Sequence, residues 1–349
     1  MRVLVTGHQG YLGSIMVPVL QEAGHDVVGL DSGLFAECLL GPAPVDPPAF
    51  RVDLRDVTTA HLEGFDAVVH LAALSNDPLG ALAPEITYEI NHRASVRLAH
   101  LAKEAGVRRF LYASTCSVYG SAGSNLVTEQ APLRPLTPYA ESKVRVEADV
   151  AAIADSGFSP VFLRNATAFG FSPRLRADIV LNNLVASAVL TGKVRVLSDG
   201  TLWRPLVHVR DIAAVFAGAL VAPIDRVHCA AYNVGSETNN VTVAQIADAV
   251  ADAVPGSEVA ITGESGPDPR SYRVDFSSMR KAFGDSVVRW TVPDGAAELY
   301  NAYLAYGMTG DAFTRRYTRL AHLEMLRTRG LVDDTLRVQR DPQPVATGG

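Results

Sequence analysis

The chain has 349 residues, 48% hydrophobic and 19% charged side chains, three cysteines and a formal net charge of -6. Such a length can bury one large α/β core with a smaller lobe, and mild acidity gives no support to nucleic-acid or membrane binding. No apolar stretch reaches the roughly 18 residues of a spanning helix, and Cys38, Cys116 and Cys229 lack the paired spacing of a zinc site or disulfide framework.

Met1 runs directly into Arg2-Val-Leu-Val-Thr6, a short apolar run of strand type that leaves no room for a signal peptide. A cytoplasmic protein with free thiols and no metal is expected. Gly7-His-Gln-Gly10-Tyr-Leu-Gly13 and a helical pattern follow. In a strand, glycine turn and helix of this kind, Gly7 allows the tight turn, Gly10 lets the backbone approach a pyrophosphate and Gly13 permits close helix packing, with the diphosphate at the helix N-terminus. Tyr11 and Leu12, inside the same turn, are expected to border the cofactor. A second strand, Val27–Leu30, ends in Asp31, about where an acidic residue meets a ribose. A carboxylate there accepts from the ribose hydroxyls and repels a 2'-phosphate, and Ser32-Gly33 offers no arginine to reverse that preference. NAD is expected rather than NADP.

Further strands are predicted at Phe50–Asp53, Ala67–Ala73, Phe110–Ser114 and Pro160–Arg164, with helices near 85–105 and 138–156. Their alternation predicts right-handed β-α-β units and a parallel sheet that binds ligands at the strand C-termini. After Arg164 the rhythm changes, with Arg174 and Arg176 in a loop, a helix around 178–191 and a strand near Val194–Leu197. The expected fold is α/β, a Rossmann-type doubly wound parallel sheet with a smaller mixed α/β substrate-binding lobe. Residues 1–165 and 203–236 would form the nucleotide domain, and 166–202 and 237–330 the lobe, with 331–349 as a C-terminal tail. Asp341–Gly349 has too little apolar content to pack. The segment from Glu298 to Arg329 is helical in pattern and suggests no function.

Tyr139 and Lys143 stand one helical turn apart and so share a helix face. A phenol loses its proton only near pH 10; the Lys143 ammonium and a bound nicotinamide would favour the tyrosinate and make it a base. Taken alone, the spacing equally describes a half-buried tyrosine beside a solvated lysine.

With the glycine turn and Asp31, the residues Asp53-Leu54, His70-Leu-Ala-Ala73, Asn91, Ser114-Thr-Cys-Ser-Val-Tyr-Gly120, Tyr139 with Lys143, and Arg204 to Asp211 follow in an order that resembles the extended short-chain dehydrogenase/reductase superfamily. The resemblance, over roughly residues 1 to 300, is to its nucleotide-sugar epimerase/dehydratase branch. It implies that Asp53 and Leu54 lie at the adenine, Leu71, Ala72 and Ala73 along the cofactor, and Lys143 on the nicotinamide ribose, with Asn91 structural. Thr115 would hold the reacting sugar hydroxyl and Tyr139 take its proton; a loop hydroxyl capping backbone groups is the plainer reading of Thr115. Ser75 and Asn76 would touch the substrate. Guanidinium groups fit phosphate oxygens in fork geometry, and Arg204 and Asn183 match family positions near the substrate diphosphate. Arg270 is a further candidate, although the family arginine stands several residues earlier, where this chain has Ser265; a surface ion pair is its alternative. Arg174 and Arg176 are weaker candidates.

Departures from the family bear on the reaction. Sugar 4,6-dehydratases carry Asp-Glu directly after the catalytic threonine, because expelling the 6-hydroxyl needs an acid and deprotonating C5 a base. This chain has Cys116-Ser117. Ordinary dehydration is therefore disfavoured, though not a dehydratase with its donors elsewhere. Cys116 either faces the sugar or is a small core residue. Thr167 replaces an asparagine common among relatives. The leading expectation is a C4 epimerase of a nucleoside-diphosphate sugar acting through a transient 4-keto sugar. A 4-ketoreductase or 4-dehydrogenase uses the same residues, and a non-catalytic NAD-binding sensor is the reading from another class. The resemblance also implies a homodimer through helices 88–105 and 138–155, whose alanine-rich faces are equally suited to cover the sheet.

Overall fold

The computed structural model describes residues 1–75, 77–122, 126–264 and 270–339. Seven strands form one sheet: Arg2–Thr6 (β1), Asp26–Asp31 (β2), Ala49–Arg51 (β3), Ala67–His70 (β4), Arg109–Thr115 (β5), Ser159–Asn165 (β6) and Ala230–Val234 (β7). All neighbours pair in parallel, in the order β7-β6-β5-β4-β1-β2-β3. The direction of strand addition reverses between β1 and β4, so a crevice opens beyond their C-terminal ends. Alternate residues serve opposite faces: Val3 and Val5 join one core and Leu4 the other. Burial on both faces explains why these strands are nearly continuous apolar runs.

The principal helices are Gly13–Glu22 (α1), Ala94–Glu104 (α2), Pro138–Ala152 (α3), Val180–Thr191 (α4), Val209–Val221 (α5), Val243–Ala253 (α6), Val292–Ala305 (α7) and Arg319–Thr328 (α8). Helices α1 and α5 cover one face of the sheet, and α2 and α3 the other. The apolar faces of α2 and α3, with Leu98, Ala99, Ala102, Val146 and Val150, are spent on the sheet, leaving Arg97, His100, Arg145 and Asp149 outward. A second core gathers α4, α6 and α7. Beside it, Trp203–His208 pairs parallel with Thr167–Phe169 and antiparallel with Asn240–Thr242, and Lys193–Val196 pairs with Glu258–Ile261. The chain re-enters the main fold through α5, whose Ile212, Val215 and Phe216 are fully buried against the sheet.

Three local departures from the sequence pattern matter for the site. The run Ala67–Ala73 is strand only to His70, because Leu71–Ala73 peel away to meet the glycine turn. Phe50–Asp53 is strand only to Arg51, because the Asp53 carboxylate accepts from Arg55 N and starts the turn Leu54–Asp56. The helical pattern near 85–105 contains a π-turn at Tyr88–Arg93. Within it Asn91 accepts from Leu74 N (2.7 Å) and donates to Leu74 O (3.0 Å), pinning the loop after β4. Beyond α8, Val332 and Leu336 are buried against Leu74 and Leu323, so residues 331–339 dock on the body rather than trail from it. Asp341–Gly349, like Asn76, lies outside the described residues.

Candidate active site

The glycine turn closes a backbone cradle that side chains would destroy. Gly7 has φ +75°, and a Cβ there would lie 2.8 Å from Ala72 N. A Cβ on Gly13 would fall 2.2 Å from Gly7 O, which is how α1 reaches the turn. Gly10 donates its N–H to Gly7 O (3.0 Å). Asp31 accepts from Gln9 N (3.0 Å) and Gly33 N (2.7 Å), tying the second strand to the turn while each carboxylate oxygen keeps a lone pair for a hydroxyl. A cradle with no room for side chains and an acidic residue at its rim fits the diphosphate and ribose of a dinucleotide.

This cradle opens into a cleft of about 1230 Å³. Gly7, Gly10, Tyr11, Leu12, Gly13, Asp31, Asp53, Leu54, Leu71, Ala72, Ala73 and Lys143 border it, together with Ser75, Thr115, Tyr139, Asn183, Arg204 and Arg270. Asp53 is engaged by Arg55 at 2.6 Å, which holds its carboxyl below the ordinary range against the opposing push of burial. Arg174 turns away from the cleft to pair with Asp46 at 2.7 Å. A second hollow of about 1630 Å³, between Ser32–Leu39 and the C-terminal segment, includes none of Thr115, Tyr139 or Lys143.

At the reacting end, Thr115 closes β5 and Tyr139 opens α3, whose first turn is fixed by Thr137 accepting from Ala140 N and by Pro138. Thr115 and Tyr139 line the same cleft, and the Thr115 hydroxyl accepts from Ser117 N (3.1 Å) and meets Ser117 Oγ (3.1 Å). Burial and then Asp77 push the Tyr139 phenol up to about 12, and Arg176, Arg270 and Thr115 hold it back. Lys143 Nζ donates to Ala113 O (2.8 Å) and stands 5.7 Å from the centre of the Tyr139 ring. Burial pulls its ammonium down to about 7, against the attraction of Glu147. The Lys143 side chain is drawn under the strand end by a carbonyl, and the cations with the largest influence on the Tyr139 phenol are Arg176 and Arg270.

Glu147, one turn beyond Lys143, accepts from Ser114 Oγ (2.5 Å) and from Arg164 Nη2 (2.6 Å), and this buried pair braces the ends of β5 and β6. The placing of Cys116 at the substrate is corrected. It is 1% exposed, its thiol donates to Arg164 O (3.1 Å), and it packs in the core instead of touching the cleft. The short 3-10 turn at Cys116–Tyr119 turns Ser117 into the cleft instead.

Sequence reasoning did not single out Asp77 and passed lightly over Arg176. Asp77 accepts from Thr137 Oγ1 (2.7 Å) and pairs with Arg270 Nη1 (3.0 Å), which also donates to Ser117 Oγ (3.1 Å). Arg176 is held by Asp178 (2.7 Å) and donates to Ser75 Oγ (3.0 Å). Arg204 donates to Trp203 O (3.0 Å) and to the carbonyl of Arg270, and Asn183 to Ala177 O (3.2 Å). Asp77 meets Thr137 and Arg270, and Arg176 meets Ser75, across long stretches of chain, so no local pattern marks them.

A profile of the NAD dependent epimerase/dehydratase family matches residues 3–235. Over 330 residues the chain is 30% identical to UDP-glucose 4-epimerase 4 of Oryza sativa subsp. japonica, covering 85% of this chain and 87% of the relative. The solved UDP-glucose-4-epimerase from Stenotrophomonas maltophila, with bound NAD and formylated UDP-arabinopyranose, superposes with a TM-score of 0.75 at 26% identity, covering 87% of this chain and 98% of that one. The dTDP-glucose 4,6-dehydratase from Streptomyces venezuelae, solved with NAD, gives the same TM-score of 0.75 at 26% identity, covering 87% of this chain and 97% of that one. Backbone similarity thus extends equally to proteins named for two different reactions.

Proposed function

Because this chain belongs to the NAD dependent epimerase/dehydratase family, we propose that it inverts C4 of a nucleoside-diphosphate sugar through a transient 4-keto sugar. The bound NAD supplies the hydride acceptor and donor. The chain's own part is to position the sugar and move one proton. Thr115 holds the 4-hydroxyl, and Tyr139 Oη takes its proton as the C4–H bond breaks. Arg204 and Asn183 bind the diphosphate, so that the sugar ring can turn about it and offer its other face. Tyr139 then returns the proton to the inverted hydroxyl, and no reduced cofactor accumulates.

The observation that carries this reading is that Thr115 and Tyr139 line one cleft, with the threonine among the groups that lower the phenol, while positions 116 and 117 provide no carboxyl group. Asp77 favours a second reading, an atypical dehydratase, since it is a carboxylate beside Tyr139; its pairing with Arg270 and Thr137 weighs against use as a free acid or base.

Incubation with a panel of nucleoside-diphosphate sugars, read by product stereochemistry, product mass and absorbance of reduced cofactor, tests the proposal. Inversion at C4 with unchanged mass and no net reduced cofactor is expected. Tyr139→Phe is expected to lower turnover by roughly 10²-fold or more while NAD binding holds. Stoichiometric reduced cofactor would mean a dehydrogenase, loss of water a dehydratase, and undiminished turnover in Tyr139→Phe would remove the phenol from the chemistry.

A further inference from the structure

The C-terminal helix takes no part in the reaction above, yet it delivers a charge to the cleft. Arg319, the first residue of α8, is 5% exposed and borders the same cleft as the glycine turn. Its guanidinium lies 4.2 Å over the Phe35 ring, and its Nη1 is buried with no hydrogen-bond partner among the described residues. The nearby carboxylate, Asp178, accepts the backbone N–H of Arg319 (3.3 Å) but closes its side-chain ion pair on Arg176 at 2.7 Å. The Cys38 thiol is the other polar group at the guanidinium. Two guanidinium groups thus face one carboxylate in a poorly solvated wall. Burying a cation with a donor left unmade is costly unless an anion arrives to meet it.

The position identifies the anion. Tyr11, between Gly10 and Gly13, sends its hydroxyl to Gly170 O (2.7 Å), and Arg176 and Arg319 line, with Tyr11, Leu34 and Phe35, the cleft into which the glycine turn opens. Phe35, under the guanidinium, belongs to the loop that follows Asp31. Arg319 thus borders the cleft that holds the turn on which a dinucleotide diphosphate rests, whereas Arg270 is committed to Asp77 and Ser117 at the reacting end.

The segment carrying Arg319 is fastened across the same region. His322 Nε2 bonds Leu34 O (2.9 Å), Arg55 donates to Thr335 O (2.9 Å) and Arg337 pairs with Asp56 (2.5 Å). Leu323, Val332 and Leu336 are buried beneath it.

We propose that Arg319 is a ligand for the diphosphate of the bound dinucleotide, brought over the glycine turn by a C-terminal strap that retains the cofactor between turnovers. This goes beyond the proposed epimerisation and stands whichever reaction the cleft performs. Guanidinium and diphosphate meet through charge-assisted hydrogen bonds, two of which can be parallel.

The test uses the full-length protein stripped of nucleotide, with NAD, ADP-ribose, adenosine and UDP titrated by calorimetry and the NAD dissociation rate measured separately. Arg319→Gln is expected to weaken NAD and ADP-ribose alike by about tenfold or more, to speed NAD release, and to leave adenosine and UDP unchanged. Arg319→Lys should recover part of the loss, since it restores the charge without the fork. If NAD and ADP-ribose bind Arg319→Gln as they bind the parent, the proposal fails. It fails too if UDP alone weakens, which would assign Arg319 to the sugar-nucleotide diphosphate, or if adenosine weakens by the same factor, which would make the effect one of strap folding. Should Arg319→Gln not fold, Arg319→Lys carries the comparison by itself: a loss for NAD exceeding that for adenosine supports the assignment, and equal affinities overturn it.

Discussion

At the cofactor arm the floor of the cleft is backbone drawn from residues 7–13, with Asp31 and Ala72 beside it. At the reacting arm it is made of charged side chains from residues 77, 176 and 270, which meet only after the second lobe has folded against the sheet. The first arm is specified by contact distances that admit no added atom. The second is specified by a balance in which burial and Asp77 raise the Tyr139 phenol while Arg176 and Arg270 lower it. One arm should therefore fail abruptly when altered, and the other should shift its working pH by degrees.

Gly13→Ala is the harshest test of that division. The new Cβ would stand 2.2 Å from Gly7 O and 2.5 Å from His8 Cα, and these are backbone atoms that cannot swing aside as a side chain does. Overpacking of a rigid contact costs roughly 1–3 kcal/mol or more, and here the displaced atoms are the cradle itself. We expect a lower melting temperature and NAD binding reduced below detection in a titration. Near-normal NAD affinity in Gly13→Ala would show that the turn yields, and the contrast between the arms would dissolve.

A milder change is expected from Arg176→Gln. The resting phenol keeps its proton up to about 12, and Arg176 is the first of the cations that oppose this. Removing a cation raises an acid's pKa, so the acid limb of kcat/KM, which reports the base of the free enzyme, should move to higher pH. At neutral pH, activity should fall by about tenfold for each pH unit the limb moves, with recovery on going alkaline. A loss equal at every pH would instead make Arg176 a binding group without influence on the phenol.

The same division governs what could be read from the chain. Gly7, Gly10, Gly13 and Asp31 were legible because a strand, a turn and a helix start are local, and the spacing of glycines states where a side chain has no room. Tyr139 and Lys143 were legible as residues sharing a helix face. The direction of the Lys143 side chain was not, because a carbonyl on β5, Ala113 O, decides it. Which of Cys116 and Ser117 faces the cleft depends on a single 3-10 turn, a matter of backbone rotation that residue types do not announce. Asp77 with Arg270, and Phe35 with Arg319, are separated by long stretches of chain, and no periodicity links them. Residues 331–339 read as a tail because two apolar side chains, Val332 and Leu336, suffice to dock them once Leu74 and Leu323 present a surface.

The smallest effect is expected at Cys116, and it tests the boundary between core and cleft. Its thiol is 1% exposed and hydrogen-bonds Arg164 O at 3.1 Å, behind the wall that Thr115 and Ser117 form. Burial raises the thiol well above its ordinary pKa, so it stays protonated and a poor nucleophile at any working pH. Cys116→Ala removes one sulfur from a packed core and should cost about 1 kcal/mol in unfolding experiments, at the low end for core truncation. With the Arg164–Glu147 brace intact, kcat/KM should stay within about twofold of the parent, an effect well under 1.4 kcal/mol. A tenfold fall in kcat/KM without a matching fall in stability would mean that the thiol reaches the sugar after all. In that event the position next to Thr115 would again be a candidate for the chemistry, and the neutral pair on which epimerisation was preferred to dehydration would need to be read anew.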